Sequence, residues 1–95
     1  MAGDSRGEEK RKVKRVIRLF FNTYDKNIAE RIFESLREFA EVKMKQSSIL
    51  KEFYYVEIVP PTNVDPKSLV TKVEEVVKNV GNDSVFGVRV YYVQA

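Results

Sequence analysis

The chain has 95 residues, 43% hydrophobic and 33% charged, with no cysteine and no histidine. That length makes one domain whose core forms without covalent staples. The missing residues exclude disulfides and thiolate metal sites, and remove the commonest general base and metal ligand.

No apolar run approaches the roughly 20 residues of a membrane span. No apolar segment leads from the charged N-terminus to a small-residue cleavage site, so a cytoplasmic protein without a membrane partner is the default expectation. The formal net charge of +3 is uneven: residues 1–18 carry seven of the 17 Lys/Arg and three of the 14 Asp/Glu. The rest of the chain is near neutral. Residues 1–12 lack apolar periodicity and read as a flexible basic arm, followed by one domain over 13–95. Lys10, Arg11, Lys12, Lys14 and Arg15 are its candidate phosphate contacts, because each cation near a phosphate releases a counterion.

Val16-Ile17-Arg18-Leu19-Phe20-Phe21 is a β-branched and aromatic run and predicts a strand. Asn22 to Asp25 turns the chain, and Asp25 or Asn27 caps a helix. Asn27 with Glu30 resembles a capping box. Ile28, Ile32, Leu36 and Phe39 follow at helical spacing, with Glu30, Glu34, Arg37 and Glu38 on the polar side. Val42 and Met44 then alternate with Glu41, Lys43 and Lys45, which suggests a second strand, with helix continuation through Met44 as the alternative. Phe53 to Val59 is the clearest strand, stopped by Pro60-Pro61.

Asp65-Pro66 starts a second helix, with an N-cap acceptor and proline at the first helical position. Its stripe is Leu69, Val73, Val76 and Val80, with Val70 and Val77 beside it, and Gly81 supplies a left-handed stop. Val85 to Val93 alternates as a last strand. The order β-α-β-β-α-β predicts an α+β, ferredoxin-like arrangement, two helices on one face of a four-stranded antiparallel sheet.

Period-2 alternation then divides every strand. Ile17, Leu19, Phe21, Val42, Met44, Tyr54, Val56, Ile58, Phe86, Val88, Val90 and Tyr92 are expected beneath the helices. Arg18, Phe20, Lys43, Lys45, Phe53, Tyr55, Glu57, Arg89 and Tyr91 are expected on the open side. Four aromatics among four cations fit two uses. Bases of a single strand stack on rings while cations hold phosphates. Alternatively, the same face docks a second copy or another subunit, since Tyr, Phe and Arg also populate interface cores. A regulatory small-ligand domain is a third reading, for which no pocket motif is present.

Residues 14–95 resemble the RNA recognition motif. The third-strand signature of that family, K/R-G-F/Y-G/A-F-V-x-F/Y, is similar to Lys51-Glu52-Phe53-Tyr54-Tyr55-Val56-Glu57-Ile58. The basic first position, both aromatics (Phe53, Tyr55) and Val56 match. Glu52 and Tyr54 stand at the small-residue positions, and Ile58 at the last aromatic. Leu19-Phe20-Phe21-Asn22 echoes the first-strand signature. The resemblance implies single-stranded RNA or DNA bound across the sheet, with Phe20, Phe53 and Tyr55 as stacking platforms.

No phosphate-cradling glycine loop and no nucleophile elbow is present. The Glu30, Glu34, Glu38 stripe reads as a solvated helix face rather than a metal site. The expectation is therefore a binding module without enzymatic chemistry, metal or cofactor.

Overall fold

The computed structural model describes residues 15–94, so the arm expected at 1–12 lies outside the described residues. The elements run β1 (Arg15–Asn22), α1 (Lys26–Arg37), β2 (Glu41–Gln46), β3 (Phe53–Val59), α2 (Pro66–Val76) and β4 (Phe86–Gln94). The four strands form one antiparallel sheet in the order β2-β3-β1-β4. The domain is α+β, and β2, not a longer helix, follows α1.

Asp25 caps α1. Its backbone is extended and its carboxylate accepts the Asn27 N–H at 2.9 Å, satisfying a donor the helix leaves free. The Thr23 hydroxyl accepts the Asp25 N–H at 3.2 Å, and the buried Thr23 N–H donates to the Glu52 carbonyl at 2.8 Å. The cap is thereby tied to the turn before β3. With no glycine or proline at its far end, α1 closes by tightening. The N–H groups of Glu38 and Phe39 donate to the carbonyls of Ser35 and Leu36.

The core lies between the helices and one sheet face. Ile17, Leu19 and Phe21 of β1 and Tyr54, Val56 and Ile58 of β3 are buried, as their alternation predicts. Ala29, Ile32 and Leu36 of α1 meet them, with Val42 and Met44 of β2 partly buried alongside. Phe21 and Tyr54 stack at 5.3 Å between ring centroids. Burial pushes the Tyr54 phenol above the ordinary tyrosine value, and the Glu30 carboxylate adds to the shift.

The second helix departs from expectation in three ways. The Asp65 carboxylate accepts the Ser68 hydroxyl at 3.1 Å rather than a backbone N–H. The buried stripe is Leu69, Val73 and Val77, four residues apart, while Val76 and Val80 are only partly buried. The helix does not stop at a left-handed Gly81. It widens into a π-turn over Val77–Gly81 and tightens into a 3-10 turn over Asn82–Ser84. Gly81 stays right-handed at φ −81°, and Asn82 takes the positive φ of 49°. Gly81 serves close packing instead, because a Cβ there would collide with the Val85 side chain.

In β4 the expected phase fails at one end. Gly87 has φ +61° and the register shifts between Phe20 and Asn22 of β1, so two β4 residues oppose Phe21. This glycine bulge turns Phe86 away from the helices, opposite Asn22, and leaves it 46% exposed. Val88 and Tyr92 keep the expected side but stay 41% and 37% exposed, because β4 is an edge strand that the helices cover poorly.

Candidate nucleic-acid interface

Cross-strand pairing fixes which side chains share the uncovered face, since directly opposed residues point the same way. One row across the sheet is Lys43, Glu57, Arg18 and Tyr91, from β2, β3, β1 and β4 in turn. The next row is Lys45, Tyr55, Phe20 and Arg89. A third contains Phe53, Asn22 and Phe86. All nine residues expected on the open side thus lie together there.

Phe20 is the hub. Its ring lies 5.1 Å from Tyr55, 5.9 Å from Phe53 in a nearly parallel stack, and 6.0 Å from the edge-on ring of Tyr91. Phe20, Phe53 and Tyr55 are half-buried against one another, and Tyr91 is 47% exposed. Arg18, Lys43, Lys45 and Arg89 are exposed around them. Among the described residues the only ion pair within 4 Å is Glu34–Arg37 on α1, so these four cations are not tied up by carboxylates.

Glu57 is the acid inside this field, half-buried between Lys43 and Arg18 in the ladder. The Tyr55 phenol is pushed above its ordinary value, first by burial and then by the Glu57 carboxylate, with Arg18 opposing.

Two rings lie outside the set expected on the open side: Phe86, in the third row, and Tyr24 beside it. Tyr24 is 82% exposed and its centroid lies 5.5 Å from that of Phe86. With Asp25, Lys26 and Asp83 they wall an open groove of about 620 Å³. A glycine inside a strand pattern was the signal, since it marks a bulge that reverses the phase. Asn22 secures the bulge by donating from Nδ2 to the Phe86 carbonyl at 3.2 Å.

Of the arm cations, Lys10, Arg11, Lys12 and Lys14 lie outside the described residues. Arg15 is exposed at the start of β1, but its alternation places it with Ile17, on the helix side. A depression of about 780 Å³ lies between α1 and β2 and includes Glu30, Glu34 and Glu38. That lining holds three acids and Arg31, whereas the open sheet face holds four cations and Glu57. No three potential metal ligands of the His, Cys, Asp or Glu type converge among the described residues, and none of their helices is long and apolar enough to cross a membrane. Compared with models of known protein families and with curated proteins, the chain matches none.

Proposed function

We propose that the chain is a non-enzymatic, ferredoxin-like module that binds single-stranded RNA or DNA on its open sheet face. The observation that carries this reading is the contact of Phe20 with three other rings on a face rimmed by four exposed cations. Bases stack on exposed rings at about 1–3 kcal/mol each, and the cations meet the phosphates. The departure from the RNA recognition motif at Tyr54 supports the reading too. Its ring points into the core against Phe21, so it does not crowd the ligand face. Arm residues Lys10, Arg11, Lys12 and Lys14 add charge without contributing base contacts.

Fluorescence anisotropy with a labelled single-stranded oligonucleotide tests this at two salt concentrations. Binding that weakens with salt and is lost in Phe53→Ala and Tyr55→Ala is the expected result. Binding indifferent to both substitutions, or none, overturns it. The packing of Tyr55, Phe53 and Tyr91 around Phe20, each ring 5.1–6.0 Å from it, favours a second reading in which this face is the core of a protein interface. That reading expects no oligonucleotide binding and protection of Tyr55 and Tyr91 in a complex.

A further inference from the structure

The two edges of the sheet differ. β2 is six residues long and alternates Glu41, Lys43 and Lys45 with Val42 and Met44. Charges at every second position deter an added strand. β4 is nine residues long, FGVRVYYVQ, and Arg89 is its one charge. Its outer edge has no partner among the described residues.

β4 also exposes apolar side chains on both faces. Val88 and Tyr92 stand on the helix side, Phe86 and Tyr91 on the open side, and all four remain exposed. A helix laid on the sheet would cover one pair and leave the other wet. Only a strand added in the plane of the sheet shields Val88 and Tyr92 on one side and Tyr91 on the other at once, and it also satisfies the outward N–H and C=O groups.

We infer that this strand is β4 of a second copy, paired antiparallel about a two-fold axis to give a continuous eight-stranded sheet. The register follows from side-chain direction and charge. Each side chain keeps its own face, so the axis falls on a residue and not between two. An axis at Arg89 sets two guanidinium groups against each other, which is destabilising. An axis at Val90 sets Arg89 against Tyr91 of the second copy, a cation against a ring. The same axis sets Val88 against Tyr92 and Val90 against its own mate, so exposed apolar residues meet on one face. The bulge at Gly87 and Val88 touches only the first residue of this Val88–Tyr92 segment. The two ring faces then lie side by side, with Arg89 and Tyr91 at the seam.

The chain has no cysteine, so single-cysteine variants report the axis without background. Full-length protein should sediment at twice the chain mass. Val90→Cys should oxidise to a covalent dimer at least about tenfold faster than Val88→Cys or Tyr91→Cys, because only residues on the axis bring like Cβ atoms within disulfide reach. Val88→Lys, at an exposed position, should return the protein to a monomer with an unchanged circular dichroism spectrum. A monomer at every concentration overturns the proposal. So does a dimer that cross-links through Phe20→Cys on the sheet face, or faster at position 91 than at 90. If Val88→Lys fails to fold, the cysteine series still decides.

Discussion

Phe20 of β1 and Tyr55 of β3 oppose each other directly across the sheet, their ring centroids 5.1 Å apart on the face turned from both helices. One residue further along β1, and one back along β3, Phe21 and Tyr54 repeat the pairing on the buried face. The same two strands thus carry an aromatic pair for the core and an aromatic pair for the open face.

Replacing Phe20 by leucine separates these roles. Leucine keeps an apolar side chain against Phe53 and Tyr55 but offers no π-face. Oligonucleotide affinity should fall about 5- to 150-fold, the equivalent of one stacked base. The thermal midpoint should move by only a few degrees, read by circular dichroism. An affinity equal to the parent's removes Phe20 from the ligand face.

Salt dependence counts the cations that meet phosphates. Each phosphate neutralised contributes about −0.7 to the slope of log K against log salt for a single strand. Lys45→Gln and Arg89→Gln should each flatten the slope by about that amount and weaken all sequences alike. Arg31→Gln, in the acidic depression beside α1, should leave the slope unchanged.

The bulge glycine should resist substitution. Gly87→Ala places a Cβ 2.6 Å from the Asn22 side-chain nitrogen at a backbone φ of +61°. A loss of about 1–2 kcal/mol is expected from the left-handed conformation alone, read from the urea midpoint. The same variant should disturb the Tyr24–Phe86 pair, because Asn22 holds the Phe86 carbonyl. A neutral result would mean the bulge relaxes at no cost.

Two tyrosines should titrate late. Folding raises the Tyr54 and Tyr55 pKa values above 10.0, so the folded state favours their protonated form. Their contribution to stability is complete below the unfolded value and is lost as pH rises through the folded values. Absorbance at alkaline pH should show a late phase that shrinks in Tyr54→Phe and in Tyr55→Phe. Stability should decline above about pH 10 more steeply in the parent than in the double variant.

Cavity formation should be costly where both helices meet the sheet. Ile32→Ala removes a fully buried side chain of α1 and should cost about 2–5 kcal/mol, measured by chemical denaturation. Ile49→Ala, at a wholly exposed turn position, should be neutral.

The order of elements, the start of both helices and the phase of the first three strands are legible in the order of amino acids alone. Those features follow from local rules. Alternation in Ile17-Arg18-Leu19-Phe20-Phe21 and in Phe53 to Ile58 has one solution once a face is buried, and Asp25 acts on a neighbour two residues away. The rest depends on contacts between residues distant in the chain. Whether Phe86 turns inward depends on a one-residue bulge set by Gly87 against Asn22 of another strand. Whether Gly81 ends a helix depends on how closely Val85 must pack against it. Whether Val88 and Tyr92 are buried depends on β4 lying at the sheet edge. Side-chain period is a property of the local chain, but register and cover belong to partners many residues away, and their free energy appears only once those partners are in place.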